Sequence, residues 1–247
     1  MMHYEVPNER LRGFVQEIKL YFNQEQNRTL YDKRNVIKVV PFEGKLYVVK
    51  SFRIPHLFNQ IVYRFFRPSK ARRSFENSIR LCQLQLHTPE PIGYIEFFSP
   101  WRFQESFYIS AFFDYDFEIR AVFKDKMFPE REAILEAFIA YTYRLHEKGV
   151  YHIDYSPGNI LVKKEGSRYI FSIIDVNRMK FLPLDMALRM QSLAKLTNDA
   201  EDNALMVRYY AKEASQERAL LQNLLQEALE KQENYLKRKK RLKKIKV

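Results

Sequence analysis

The chain has 247 residues, of which 46% are hydrophobic and 15% are aromatic, so it is expected to be globular with a sizeable core. Its formal net charge is +12, but eight basic residues lie in one segment, Lys237 to Lys246, which leaves 12 − 8 = +4 for the rest. The single cysteine excludes an intrachain disulfide, and no run of 18 apolar residues predicts a membrane span.

The first 120 residues are rich in β-formers. Two β-rich runs flank a turn at Glu43-Gly44-Lys45, and further strands are predicted in "TPEPIGYIEFF" and "SFYISAFFDYDF". Between them, from about residue 69, one segment has helical spacing, and its apolar face is Phe75, Ile79 and Cys82. This part of the chain is predicted to be a small antiparallel sheet that carries one helix.

The pattern changes near Pro129. The next predicted helix has an apolar face made of Ile134, Leu135, Phe138, Thr142 and Leu145. Short β pieces follow in "VYH", "NILVKK" and "YIFSIID", and the chain is helix-prone from Asp185 onward. We therefore predict an α+β chain with two lobes that share a cleft: a sheet-based N-lobe over residues 1–120 and a mainly helical C-lobe over residues 121–236. Residues 237–247 form a basic tail.

Five polar residues occupy positions that suit phosphoryl transfer. Lys50 ends a predicted central strand, Glu76 lies on the following helix, Asp154 and Asn159 flank the tight "SPG" turn, and Asp175 ends an apolar strand. Transfer from ATP needs a lysine on the phosphates, a carboxylate that orients it, a base for the acceptor hydroxyl and oxygen ligands for Mg²⁺. Each residue alone has an ordinary structural explanation, but the set in this order favours a kinase.

The segment "YHIDYSPGNILV" resembles the His-x-Asp-x-x-x-x-Asn loop of the protein-kinase-like fold, and "IIDVNR" stands where that fold has its metal-binding Asp-Phe-Gly. More narrowly, "RPSKARRSFENS", "TPEPIGY", "DYSPGNIL" and "IDVNRMKF" resemble the lipopolysaccharide-core kinases of Gram-negative bacteria, which phosphorylate heptose or Kdo sugars. The resemblance spans roughly residues 30 to 182.

The resemblance implies a role for each residue. Lys50 would bind the ATP phosphates with Glu76 as its partner, Asp154 would be the catalytic base, and Asn159 and Asp175 would hold Mg²⁺. His152 would brace the loop by hydrogen bonding. The chain departs from protein kinases in lacking a Gly-x-Gly-x-x-Gly loop and an Ala-Pro-Glu segment, and in having Ser156 two residues after the base. These departures favour a glycolipid or small-molecule kinase over a regulated protein kinase.

Three functions are therefore weighed. The first is an ATP- and Mg²⁺-dependent kinase of an inner-core sugar, for which Kdo on lipid A is the expected acceptor. The second is a protein or other small-molecule kinase, and the third is a non-catalytic kinase-like module that binds an anionic membrane or nucleic acid. The basic tail predicts peripheral attachment to the cytoplasmic face of the inner membrane, and no nucleic-acid partner is expected for the kinase.

Overall fold

The chain divides into two units in the computed structural model. The structure describes residues 1–33, 35–54 and 56–244. Unit 1 contains residues 1–114 together with residues 174–178, and unit 2 contains residues 115–173 and the described residues from 179 onward. A short stretch that follows the last strand of one sheet in unit 2 thus belongs to unit 1.

Unit 1 is built on a six-stranded antiparallel sheet with the strand order β1-β5-β6-β4-β3-β2. The strands are β1 (Met2–Glu5), β2 (Arg28–Asp32), β3 (Asn35–Phe42), β4 (Lys45–Phe52), β5 (Pro91–Phe98) and β6 (Phe103–Ala111). Glu43 and Gly44 join β3 to β4 with φ angles of 46° and 72°, so a glycine suits the second position of this two-residue turn. The predicted antiparallel sheet is confirmed.

Four α-helices belong to the described part of unit 1, where the sequence indicated one. They are α1 (Arg12–Gln16), α2 (Ile18–Phe22), α3 (Leu57–Phe65) and α4 (Lys70–Gln83). The helix predicted from about residue 69 is α4, and Ser69 caps it by accepting a hydrogen bond from the Arg72 amide. Cys82, which was expected to be buried on its apolar face, is exposed.

The two faces of the sheet pack against different helices because successive strand residues point to opposite sides. Tyr47 and Val49 of β4 belong to the core cluster that also contains Phe14 and Ile18 of α1 and α2. On the other face, Phe52 packs with Ala71 and Phe75 of α4 and with Tyr94 of β5. Lys50 has the same parity in β4 as Phe52, so it lies on the face that α4 covers.

Unit 2 is mainly helical, as predicted. Its helices are α5 (Ile119–Lys124), α6 (Arg131–Glu147), α7 (Met186–Leu193), α8 (Ala200–Ala214) and α9 (Arg218–Lys244). Its strands are β7 (Phe117–Glu118), β8 (Val150–His152), β9 (Ile160–Glu165), β10 (Arg168–Ile173) and β11 (Met179–Phe181). They form a three-stranded sheet β10-β9-β7 and a two-stranded sheet β11-β8.

The boundary between the units lies earlier than the expected residue 120. Phe117 and Glu118 pair with Val162 and Leu161 of β9, so β7 and the residues around it belong to unit 2. The expected tail at 237–247 is not separate from the lobe before it, because α9 continues through residue 237 to Lys244. Residues 245–247 of that tail lie outside the described residues.

Candidate active site

Lys50 and Asp175 form the central contact of the candidate site in unit 1. The Lys50 ammonium donates a hydrogen bond of 2.6 Å to Oδ1 of Asp175, although 125 residues separate them in the sequence. The Lys50 side chain is 12% exposed and that of Asp175 is 37% exposed, so the ion pair is partly shielded from water. The structure thus brings together a strand lysine and a carboxylate that the sequence assigned to phosphate and to metal.

Asp175 has a left-handed backbone, with φ of 56°. This conformation costs a non-glycine residue free energy and is often found where a side chain must be aimed. The side-chain amide of Asn177 donates a hydrogen bond of 2.7 Å to the same Oδ1. The side-chain amide of Asn77, on α4, donates a hydrogen bond of 2.7 Å to the carbonyl of Val176. These two asparagines hold the turn in place, and the sequence analysis had assigned neither a role.

Glu76 does not contact Lys50 in this structure, contrary to the expected pair. It accepts a hydrogen bond of 2.7 Å from Nε of Arg72, one helical turn earlier on α4. This hydrogen bond raises the pKa of Arg72 above its ordinary value, while burial acts in the opposite direction. An arginine one helical turn away is a common partner for a helix carboxylate. The order of the kinase-like motifs did not show that Glu76 pairs with Arg72 and not with Lys50.

Asp154 and Asn159 lie on one tight loop of unit 2, and hydrogen bonds hold the Asp154 backbone from two sides. The amide of Asp154 donates 3.0 Å to Nδ1 of His152, which is fully buried. The Nδ2 group of Asn159 donates 2.9 Å to the Asp154 carbonyl, and the Asn159 amide donates 2.9 Å to the Ser156 carbonyl. His152 therefore makes the bracing contact expected of it.

Tyr155 anchors the same loop to α6. Its side chain is fully buried, and its hydroxyl lies 2.8 Å from Oγ1 of Thr142. Its ring is nearly parallel to that of Phe138, with centroids 6.2 Å apart. Burial raises the pKa of Tyr155 well above its ordinary value, so the phenol stays neutral and keeps this contact. The loop is thus fixed to a helix by a residue directly after the candidate base.

Arg120, at the start of α5, lies against the same loop. A Cβ atom placed on Gly158 would overlap the Arg120 guanidinium, so a glycine is what allows this approach. The carboxylate of Glu118 lies 3.6 Å from Nε of Arg120. Arg120 was not predicted from the sequence, although the glycine in "SPGN" is a signal that another group approaches the loop backbone.

Asp175 of unit 1 offers a carboxylate and Asn159 of unit 2 offers an amide oxygen, and each is the kind of hard oxygen ligand that Mg²⁺ prefers. The carbonyl of Asp154 can only accept, so Nδ2 of Asn159 must face it and Oδ1 points elsewhere. Among the described residues, Oδ1 of Asn159 has no hydrogen-bond partner. Within the described residues, no cluster of three or more His, Cys, Asp or Glu side chains is suited to a metal.

No protein-family model and no curated protein sequence matches the chain. The solved structure described as WaaP in complex with acyl carrier protein matches it with a TM-score of 0.63 and 19% identity, over 93% of this chain and 98% of that chain. The bifunctional kinase-methyltransferase WbdD matches with a TM-score of 0.45 and 14% identity, over 92% of this chain and 46% of that chain. The PknI kinase domain of Mycobacterium tuberculosis matches with a TM-score of 0.43 and 16% identity, over 77% and 75%.

The fold is therefore protein-kinase-like, and the match to WaaP covers nearly the whole of both chains. The two matches with TM-scores below 0.5 carry no weight in this conclusion. The resemblance noted in the sequence motifs is confirmed at the level of the fold. Within the described ranges, no helix is both long enough and apolar enough to cross a bilayer.

Proposed function

We propose that the protein is an ATP-dependent kinase that phosphorylates an inner-core sugar of lipopolysaccharide, with a Kdo hydroxyl as acceptor. The observation that supports this most strongly is the contact between Lys50 and Asp175, because it joins the phosphate and metal residues of a kinase across 125 positions of sequence. The protein-kinase-like fold and the braced Asp154 loop support it further.

Each residue has one task in this proposal. Lys50 binds the α- and β-phosphates of ATP, and Asn159 and Asp175 hold Mg²⁺, which supplies positive charge beside the phosphates. Asp154 aligns the acceptor hydroxyl and takes its proton as the new O–P bond forms and the bond to ADP breaks. Fixed charges around the phosphates contribute most of the acceleration.

Glu76 keeps a proposed role as the carboxylate that orients Lys50 when a nucleotide is bound. The carboxylate is exposed and paired with Arg72, a pair that costs little to exchange because exposed ion pairs contribute only about 0–1 kcal/mol. Under this proposal, Glu76→Gln weakens ATP binding and lowers transfer without changing the acceptor that is used.

The acceptor is an anionic glycolipid at the cytoplasmic face of the inner membrane, where the protein would be peripheral. The basic tail supports this location, since Lys237, Arg238 and Lys239 are exposed on α9. A protein partner also merits a test. WaaP was solved with acyl carrier protein, and a carrier of that kind is a second candidate partner for this chain.

The experiment is a transfer assay with an acceptor panel. The protein is incubated with γ-labelled ATP and Mg²⁺ and offered Kdo-lipid A, heptosylated core, soluble sugars or a generic protein. We expect label in the Kdo-containing glycolipid. Label in the generic protein or in a soluble sugar alone would favour the second function, a protein or small-molecule kinase. No hydrolysis and no transfer with any acceptor would favour a non-catalytic module.

A further inference from the structure

Large apolar side chains are exposed along one face of α3 and on the turn between β5 and β6. Leu57, Ile61 and Phe65 recur every four residues on α3, with exposed fractions of 59%, 47% and 54%. Phe66, directly after the helix, is 81% exposed, and Trp101 on the turn is 74% exposed. Three aromatic rings and two aliphatic side chains are thus presented to water, and an exposed apolar surface of this kind calls for a partner.

Arg64 shows that the helix and the turn form one surface. Its Nε donates 3.4 Å to the carbonyl of Pro100, the residue before Trp101. Its guanidinium carbon lies 5.5 Å from the centre of the Phe65 ring and 4.8 Å from that of Phe98. We call this surface, made of Leu57, Ile61, Arg64, Phe65, Phe66 and Trp101, the α3 patch.

The surroundings of the α3 patch carry more positive than negative charge. Residues 53–73 contain six Lys or Arg and no Asp or Glu, and residues 97–104 contain no acid either. The basic residues of the first stretch are Arg53, Arg64, Arg67, Lys70, Arg72 and Arg73. Glu96, the acid that lines the cavity beside the patch, is buried and accepts hydrogen bonds from the Ser69 amide and the His3 ring.

Arg73 lies close enough to Arg67 for the charge of one to affect the pKa of the other. Burial, followed by the neighbouring charge of Arg67 and a weaker contribution from Arg178, lowers the pKa of Arg73 below its ordinary value, and Tyr63 opposes the shift. A cavity of about 420 Å³ beside the patch is lined by Arg64, Arg67 and Arg72 together with aromatic rings. One guanidinium group can donate two parallel hydrogen bonds to a phosphate group. The charge and the cavity therefore both suit phosphate headgroups.

The geometry points to the α3 patch as the surface by which this protein docks on an anionic phospholipid bilayer. Phe66 and Trp101 enter the headgroup boundary, where aromatic rings are enriched, and the arginines bind lipid phosphates. The excess of basic residues over acids favours an anionic lipid surface over an ordinary protein interface, which mixes charges of both signs. The exposed acid nearest in sequence, Glu76, is already paired with Arg72. The inference needs no nucleotide and no catalysis, so it stands apart from the proposed kinase activity.

Trp101 is the only tryptophan of the chain, so its fluorescence reports directly on the proposed contact. The full-length protein is mixed with vesicles of phosphatidylcholine alone or with phosphatidylglycerol added. With the anionic vesicles we expect a blue shift of the emission and quenching by lipids brominated on their acyl chains. An unshifted, unquenched emission while the protein sediments with these vesicles would overturn the proposal.

Three variants separate the patch from other surfaces. Phe66→Ser, which leaves the reporter intact, should weaken binding to anionic vesicles about tenfold because it removes a ring that becomes buried only on the membrane. Arg67→Gln should weaken it about fivefold, the effect of one charge at an anionic surface. The control is Leu20→Ser in the same unit, where an apolar side chain 64% exposed lies outside the patch and its loss should leave binding unchanged.

The tail is tested separately by ending the chain after Leu236. The shortened protein should bind more weakly but keep the blue shift of Trp101. The proposal is wrong if the shortened protein loses the shift, because the tail would then be the membrane contact. It is also wrong if Phe66→Ser leaves vesicle binding unchanged but abolishes binding of an acidic carrier protein.

Discussion

At the scale of single residues, the ion pair between Lys50 and Asp175 contributes to the stability of unit 1. The Lys50 ammonium is mostly shielded from water, and its carboxylate partner, Asp175, also accepts from Asn177. Removing the Asp175 carboxylate takes its counter-ion from the shielded Lys50 ammonium. This lowers the free energy of unfolding more than the loss of an exposed ion pair does. The contact therefore affects stability as well as the proposed chemistry.

We predict that Lys50 and Asp175 are energetically coupled in the absence of nucleotide. In a double-mutant cycle with Lys50→Met and Asp175→Asn, urea unfolding should give a coupling of about 1 kcal/mol. Asparagine suits the substitution because it tolerates the left-handed backbone at this position. The matched control pairs Lys50→Met with Glu76→Gln, and no coupling is expected there. A larger coupling to Glu76 than to Asp175 would contradict the observed pairing.

Gly158 offers a second test at this scale. Gly158→Ala introduces a Cβ atom where the Arg120 guanidinium lies, so the arginine must leave the loop. Because the end of a flexible side chain can move, we expect a loss of only about 1 kcal/mol in the free energy of unfolding, at the low end for overpacking. Arg120→Ala in the same chain should restore most of that loss in urea unfolding. Equal destabilisation with and without Arg120 would show that the two residues do not interact.

The packing of α6 against α8 is the clearest case at the scale of elements. His146 of α6 is buried with Nδ1 2.8 Å from the hydroxyl of Tyr210 on α8, and within the described residues its Nε2 has no hydrogen-bond partner. Burial, with a smaller contribution from the charges of Arg189 and Lys195, lowers the pKa of His146 to about 3. The imidazole therefore stays neutral in the folded protein.

This histidine should make stability fall in acid. Between pH 6.5 and 3 the unfolded chain binds a proton at residue 146 that the folded chain does not, so the free energy of unfolding decreases as pH falls, by at most about 1.4 kcal/mol per pH unit. In His146→Asn, which keeps an acceptor near Tyr210, the contribution of residue 146 to this slope should disappear, so the curve should be shallower than that of the wild type. Urea unfolding at pH 6, 5 and 4 measures it, with His56→Asn at an exposed position as the control. Parallel curves for wild type and His146→Asn would contradict the account.

The sequence predicted long elements better than short ones. The face of α6 and the runs that became β3, β4 and β5 were predictable because their apolar periodicity extends over eight or more residues. Helices α1 and α2 have five residues each, too few for a helical period to show, although they bury Phe14, Val15, Ile18 and Phe22 against the sheet. Their burial depends on contacts that the sequence pattern does not encode.

The candidate site shows the same limit for side chains. Residue types and their order along the chain indicated Lys50, Asp154, Asn159 and Asp175 as candidate site residues. The sequence did not indicate the partner of Glu76 or the places of Asn77, Asn177 and Arg120, because these depend on side-chain direction and on how separate segments approach. Spacing in a sequence gives candidates for a site, whereas hydrogen-bond geometry assigns their neighbours.

At the scale of the whole molecule, a segment distant in sequence completes unit 1. Residues 174–178 follow β10 of unit 2 but belong to unit 1, where Asp175 meets Lys50 and Val176 meets Asn77. The fold matches that of WaaP over nearly its full length at only 19% identity. The protein-kinase-like fold and the order of the kinase-like motifs along this chain are together what make a kinase the proposed activity.

The most direct measurement of that activity is transfer of labelled γ-phosphate from ATP to Kdo-lipid A by the wild type and by Asp154→Ala. The variant should fold normally, because the hydrogen bonds that brace the loop at this position involve the backbone of Asp154. We predict a loss of transfer of at least about a hundredfold, the lower range for removing a general base, with an unchanged circular dichroism spectrum. Undiminished transfer by a correctly folded Asp154→Ala protein would contradict the account.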